Sequence, residues 1–281
     1  MDVKPSPLIS TQSLDALLDD RQLRLFDCRF SLGDPDAGRR AYLEAHIPGA
    51  VYLDLENDLS SHDGVDGGRH PLPTTAELCD RFSRWGIGAG NQVAVYDDAG
   101  GMVAARLWWM LRYMGFDAVR VLDGAWQAWL EHGGPVEQIE QQMCGPAEFA
   151  GEPREHLLVK IDQLEPGQLL DAREAARYCG EHEPIDPVAG HIPGARNHCW
   201  RENLDADGRF RSPEDLARRL STAFARKPDS NTTHYCGSGV SACHNVLAQV
   251  IAGLPEPRLY SGSWSEWCRD SERQVMIGPD P

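Results

Sequence analysis

Asp27-Cys28-Arg29 followed by His46-Ile47-Pro48-Gly49-Ala50 returns later in the chain as Asp171-Ala172-Arg173 followed by His191-Ile192-Pro193-Gly194-Ala195, with nearly the same internal spacing. Two further blocks keep the order. Val93-Ala94-Val95-Tyr96-Asp97 matches Thr232-Thr233-His234-Tyr235-Cys236, and Gly124, Trp126 and Trp129 match Gly262, Trp264 and Trp267. Four blocks in one order mark a tandem duplication, which defines the number of domains better than length does. The 281 residues agree with it, at roughly 100–200 residues per domain. The stretch 131–156, rich in Gly, Pro, Glu and Gln, reads as an exposed crossing between the copies. This assigns the first domain to residues 1–140, a linker to 141–154 and the second domain to 155–281.

Within each copy, short apolar runs such as 23–26, 93–96 and 119–122 alternate with longer helical patterns such as 102–114. That alternation predicts an α/β fold, each domain a mainly parallel sheet flanked by helices on both faces. Ligands of such sheets sit beyond the carboxyl ends of the strands, where a loop leads into a helix. Tyr235-Cys236 falls at one of these places.

Composition narrows the function. The chain carries 27 Lys and Arg against 43 Asp and Glu, a formal charge of −16, so neither nucleic acid nor an anionic membrane is an expected partner. With 41% hydrophobic residues and eight Trp it is expected to fold. No apolar run approaches the ~20 residues that cross a bilayer. The start, Met1-Asp2-Val3-Lys4-Pro5-Ser6, lacks the pattern of a secretory signal, and a cytoplasmic location is expected. The eight cysteines, at 28, 79, 144, 179, 199, 236, 243 and 268, form no CxxC pair, so reduced thiols are expected and a zinc site is not.

One of these thiols stands apart. His234-Tyr235-Cys236-Gly237-Ser238-Gly239-Val240-Ser241-Ala242 continues helically through Val250. Two glycines just after a strand-end cysteine permit a tight loop with several N–H groups turned inward, and the following helix adds the positive end of its dipole. This is an anion cradle, and a thiol placed in one is favoured as the nucleophilic thiolate. The first copy carries Asp97 at the matching position, followed by Asp98-Ala99-Gly100-Gly101, so packing alone does not require the cysteine. Only the second copy is expected to react, through Cys236. Cys243, two helical turns onward, is expected to be buried on the helix.

Two copies with these blocks, and a loop cysteine in the second alone, resemble the tandem-domain rhodanese family of sulfurtransferases over nearly the whole chain. The resemblance implies that Cys236 accepts a sulfur atom, holds it as a persulfide and passes it to a thiophile such as cyanide, a thiol or a thioredoxin-like protein. The N–H groups around Gly237, Gly239, Val240 and Ser241 would hold the terminal sulfur. Cys-Gly-Ser-Gly-Val at 236–240 is similar to the 3-mercaptopyruvate sulfurtransferases, whereas thiosulfate enzymes usually have basic residues where Gly237 and Ser238 stand. Thiosulfate is a dianion that benefits from cations, while mercaptopyruvate brings one carboxylate and a carbonyl. Protonating the enolate left by mercaptopyruvate is a task for acid–base catalysis, and the resemblance implies a relay of Ser238, His70 and Asp54. Since His70 and Asp54 lie in the first copy, this reading puts the site between the two domains.

By the same resemblance Arg177 faces the donor's anionic group, as suits a guanidinium. The second arginine of the mercaptopyruvate enzymes, nine positions on, is replaced here by Asp186, as in thiosulfate-type rhodaneses, and Arg69 is the candidate substitute by its adjacency to His70. Arg29, Arg173, His46, His191 and the paired Trp residues recur in both copies and read as structural. A cysteine phosphatase is excluded, because its Cys-x5-Arg loop would need Arg where Ala242 stands. The expectation is therefore a sulfurtransferase without metal or organic cofactor, using 3-mercaptopyruvate. Thiosulfate as donor, and a non-enzymatic sulfur-carrier or binding module, stand as alternatives.

Overall fold

The short aliphatic runs form parallel strands, and the helical stretches pack over them. A computed structural model describes residues 6–61, 64 and 67–281. They divide into two compact units. The N-terminal unit draws on Met1–Ser60, Pro73–Arg154 and Ala206–Arg209, and the C-terminal unit on Ser61–Leu72, Glu155–Asp205 and Phe210–Pro281.

The N-terminal unit contains strands β1 (Leu8–Ile9), β2 (Leu23–Asp27), β3 (Ala50–Tyr52), β4 (Gln92–Tyr96) and β5 (Val119–Leu122). They lie in the order β1-β5-β4-β2-β3, every pair parallel. Its helices are α1 (Thr11–Asp15), α2 (Ala37–Glu44), α3 (Thr75–Arg84), α4 (Ala104–Tyr113) and α5 (Ala125–His132). The C-terminal unit contains β6 (Leu169–Asp171), β7 (Arg196–Asn197), β8 (Thr233–Tyr235) and β9 (Arg258–Leu259), in the parallel order β7-β6-β8-β9. Its helices are α6 (Ala175–Tyr178), α7 (Pro213–Phe224), α8 (Ser241–Ile251) and α9 (Ser263–Trp267). The two sheets share one topology, with β2 to β5 answering to β6 to β9, as the duplicated blocks require.

Local sequence explains the boundaries. Thr74 and Glu77 form a reciprocal capping box that starts α3, a device worth about 1 kcal/mol. Ser212 caps α7 ahead of Pro213 at its first position. The helices that follow the central strands are buried along most of their length. Trp108, Trp109 and Leu111 of α4 and Val246 and Leu247 of α8 are inaccessible to solvent or nearly so.

The repeated charged and aromatic residues brace each copy in the same way. Arg29 Nη2 donates to Asp27 at 2.6 Å and to the Ala45 carbonyl at 2.7 Å, and its guanidinium lies 4.7 Å from the Trp126 ring. Arg173 Nη2 does the same with Asp171 at 2.6 Å and the Gly190 carbonyl at 2.7 Å, 4.7 Å from Trp264. His46 stacks on Tyr42 and His191 on Tyr178, with ring centroids 3.9 and 3.7 Å apart. Each histidine also pairs antiparallel with a later segment, His46 with Glu137 and His191 with Met276. These partnerships bear out the structural reading of the repeated residues.

The segment expected as an exposed linker is exposed along most of its length and is fastened to the N-terminal unit at a few points. Phe149 is buried against Phe82, with ring centroids 4.9 Å apart. Ala147 N donates to the Ser83 carbonyl at 2.9 Å, and Arg154 N to that of Tyr113 at 2.7 Å. A single apolar residue among polar ones fastens the stretch, because burying one phenyl ring is worth about 2 kcal/mol.

Behind β8 the C-terminal unit holds a layer of buried polar groups. His198 meets Asn203 at 2.8 Å, and His234 meets Gln249 at 2.9 Å. Burial pushes the His234 imidazole down to about 4, and also lowers His191 and His198. An unfolded histidine takes up its proton near pH ~6.5. The neutral folded ring therefore contributes stability above that pH, and the contribution is lost as pH falls from there towards 4. Urea unfolding at pH 7 and pH 5 is expected to show a smaller loss of stability for His234→Gln than for the wild type. An identical loss in both proteins would contradict this role for His234.

Candidate functional site

Cys236 follows the last residue of β8, and the loop 236–240 leads directly into α8. Its thiol is buried, with 2% of the residue exposed. The start of α9 holds the loop from below. Trp264 N donates to the Cys236 carbonyl at 2.9 Å, and Ser265 N to that of Gly237 at 2.9 Å. Cys236 N in turn donates to Ser263 Oγ at 3.1 Å. Gly239 has φ +75°, and a Cβ there would lie 2.3 Å from the Ser261 carbonyl oxygen, so only glycine fits. Cys243 sits on α8 with its thiol donating to the Gly239 carbonyl at 3.2 Å, as a buried helix residue.

The first copy shows what a loop of this design does with an anion. Asp97 Oδ1 accepts from the N–H groups of Ala99 and Gly101 at 2.9 and 2.8 Å. Its Oδ2 accepts from Val103 and Ala104 at 2.7 and 2.9 Å. Complete burial pushes the Asp97 carboxyl up, while these four amides pull it back. Trp126 N donates to the Asp97 carbonyl at 2.8 Å, the counterpart of the Trp264 bond. The residue before this tryptophan is left-handed in both copies too, with Ala125 at φ +57° and Ser263 at φ +57°, although the glycine before it is left-handed only in the first. Only Ser263 adds a hydroxyl to hold the strand-end amide.

His70 Nδ1 lies 2.7 Å from Ser238 Oγ, and both residues are buried, with 4% and 6% exposed. The two belong to the same unit, so His70 does not fold with the first domain as its place in the sequence implied. The arm Ser61–Leu72 comes from the first half of the sequence but folds with the C-terminal unit. Its described residues show why. Ser61 N donates to the Pro71 carbonyl at 3.0 Å and closes the base of the arm. Gly67 N donates to Glu266 Oε1 at 2.9 Å, and Arg69 N to Ser265 Oγ at 2.9 Å. Arg269 bonds the Gly67 carbonyl, and Tyr260 holds the other Glu266 oxygen at 2.7 Å.

Asp54 lies in the N-terminal unit, where its carboxylate caps its own turn. Oδ1 accepts from the N–H groups of Glu56 and Asn57 at 3.0 and 2.9 Å, and Oδ2 from the Tyr52 hydroxyl at 3.4 Å.

Two cations adjoin the cysteine loop. A Cβ built on Gly237 would lie 3.1 Å from Arg69 Nη2 and 3.5 Å from both terminal nitrogens of Arg177. Glycine at 237 leaves room for the Arg69 guanidinium, which a Cβ would crowd, while Arg177 would be in ordinary contact with one. Arg177 donates to Glu183 through Nε at 3.0 Å and Nη2 at 2.8 Å, and Asp186 links Arg177 with Arg69. Burial pushes the Glu183 carboxyl up, but its bonds from Arg177 and from loop amides outweigh this and hold it below the usual range. A buried cysteine, a hydroxyl–imidazole pair and two guanidiniums are thus gathered on one unit.

Sequence reasoning missed Ser263, Ser265 and Glu266, which position the loop and the arm. The signal was present in the aligned copies, where Ala125, Gln127 and Ala128 stand at these places in the inert one.

The chain matches the Rhodanese-like domain family twice, over residues 10–132 and 155–270. It is 48% identical over 280 residues to a Pseudomonas aeruginosa protein named probable 3-mercaptopyruvate sulfurtransferase, covering 96% of this chain and 98% of that one. It is 34% identical over 268 residues to the thiosulfate sulfurtransferase of Bos taurus, covering 91% and 88%. In structure it is similar to 3-mercaptopyruvate sulfurtransferase from Leishmania major, with a TM-score of 0.83 at 31% identity, covering 95% of this chain and 75% of that one.

Asp97→Ala would leave three buried N–H groups and one part-buried one without an acceptor, at about 3 kcal/mol or more in total. Urea unfolding of the variant is expected to show a loss of this size in the N-terminal unit. A loss below ~1 kcal/mol would mean that the carboxylate does not hold the loop.

Proposed function

This chain belongs to the rhodanese family, and on that premise we propose that it takes sulfur from 3-mercaptopyruvate onto Cys236 and hands it to a thiol or cyanide. It is a sulfurtransferase, an enzyme that needs a sulfur donor and a sulfur acceptor. The observation that carries the choice of donor is the buried His70–Ser238 pair at 2.7 Å, two residues from the nucleophile.

The Cys236 thiolate attacks the donor's sulfur and forms an S–S bond as the donor's C–S bond breaks. The electron pair passes to the departing carbon as the enolate of pyruvate. The proton that began on the donor's thiol ends on that carbon, leaving the Cys236 persulfide as an anion. Ser238 and His70 are placed to relay this one proton, the hydroxyl acting on the substrate side and the imidazole behind it. Loop amides from Gly237 to Ser241 stabilise the outer sulfur, as the amides around Asp97 stabilise its carboxylate. Arg177 and Arg69 hold the donor's carboxylate. An acceptor thiolate then attacks the outer sulfur, the S–S bond breaks, and Cys236 is returned as thiolate. A small thiol, cyanide and a thioredoxin-like protein are all acceptors compatible with this step.

Asp54 enters this reading as a residue that shapes its own turn, and the first copy as the inert one, its cradle filled by Asp97. Thiosulfate is the second reading, favoured by the likeness to the bovine enzyme. Eight free thiols support work in a reducing compartment, with the cytoplasm as the proposed location. Among the described residues no helix is long and apolar enough to cross a membrane.

Cys236→Ser is expected to abolish transfer from either donor, and substantial residual turnover would end the proposal. Ser238→Ala and His70→Ala are expected to lower kcat with mercaptopyruvate by roughly 100-fold and with thiosulfate by much less. Steady-state kinetics with one shared acceptor checks this, and equal losses with the two donors would remove the relay.

A further inference from the structure

The residue that departs from the expected second arginine is not idle. Asp186 accepts from Arg69 Nη1 on Oδ1 at 2.5 Å and from Arg177 Nη2 on Oδ2 at 3.1 Å. Its side chain is 4% exposed. Arg69 reaches it from the arm and Arg177 from α6, so one carboxylate joins cations that are 108 residues apart in sequence. Glu183 takes the remaining face of Arg177. Arg173, which also reaches Glu183, is already matched by Asp171. The two guanidiniums beside Gly237 are therefore balanced by two carboxylates.

We propose that Asp186 is the residue that sets the charge preference of the donor site: by bridging Arg69 and Arg177 it keeps both as hydrogen-bond donors while cancelling the charge surplus that would favour a dianion. This rests on the reading that the arginine pair receives the donor's anionic group, and it names the class that fits, a singly charged carboxylate. Two arginines alone would present a formal +2 and favour a doubly charged sulfonate-type donor such as thiosulfate. With Asp186 and Glu183 beside them, orientation is retained and the long-range attraction is small. A monocarboxylate then binds through directed N–H bonds, whereas a dianion carries twice the charge into a site that no longer offsets it. Asp186 in this sequence thus acts against thiosulfate, the reverse of what its presence in thiosulfate-type relatives implies.

Charge and mere loop structure make different predictions. Removing the carboxylate raises the site's charge by one, which a dianion feels twice as strongly as a monoanion. Removing Arg69 lowers it by one and acts in the opposite sense. The test is the ratio of inhibition constants of two inert anions, pyruvate and sulfate, against sulfur transfer in the intact enzyme from whichever donor the wild type uses. Asp186→Asn is expected to shift the ratio towards sulfate by roughly fivefold or more at low ionic strength, and the shift is expected to shrink as salt is added. Asp186→Glu keeps the charge and is expected to keep the wild-type ratio. Arg69→Met is expected to move the ratio towards pyruvate. A ratio unchanged in Asp186→Asn, or moved in the same direction by Asp186→Asn and Arg69→Met, would overturn the proposal. Should Asp186→Asn fail to fold, the Arg69→Met and Asp186→Glu measurements still decide it. The outcome does not depend on which donor is natural, so a failure here is separable from a failure of mercaptopyruvate as substrate.

Discussion

A ring of backbone N–H groups at the end of a parallel strand is costly to bury without an acceptor to receive it, and the loop of the first copy is built around that constraint. Amides left unpaired away from water are costly, so a loop that turns several of them inward must bring an acceptor with it. In the N-terminal unit the acceptor is built in, since Asp97 receives four such bonds. In the C-terminal unit the strand-end residue is Cys236, whose sulfur can be negative and can be exchanged. On the proposed function, the difference between the two copies is that between a fixed anion and a transferable one.

The supports of the two loops are shared and the additions are local. Both copies use a residue at φ +57° after a glycine, and both anchor the strand-end carbonyl on a tryptophan amide. The reactive copy adds Ser263 beneath Cys236, then Ser265 and Glu266 to secure the arm that brings Arg69 and His70. Arm exchange is itself reciprocal, for Ala206–Arg209 of the second repeat folds with the N-terminal unit. There Arg209 donates to the Asp123 carbonyl at 3.2 Å, beside the turn that supports Asp97.

Much of this was legible in the sequence because duplication supplies an internal control. Residues kept in both copies, such as Asp27 and Arg29 with Asp171 and Arg173, proved to be braces, and the odd residue at a matched place, Cys236, stood out against Asp97. Assignment of the arm was not legible, since proximity in sequence put His70 in the first domain while its bond to Ser238 is made in the second unit. The stretch after residue 140 read as exposed because its composition is polar, and most of it is, but composition does not reveal that Phe149 seats on Phe82. Asp186 registered as a missing arginine. Its two bonds to arginines are made by folding and could not be read from the residue type alone.

The account stands on the sulfur of residue 236 as a carrier of one sulfur atom among inward-facing amides. Intact-protein mass measured after brief exposure to mercaptopyruvate without acceptor tests this most directly. A gain of about 32 Da that maps to the peptide containing Cys236, and that disappears on adding a thiol, is the expected result. An unchanged mass at Cys236, or the same gain at another cysteine while sulfur transfer proceeds, would contradict it.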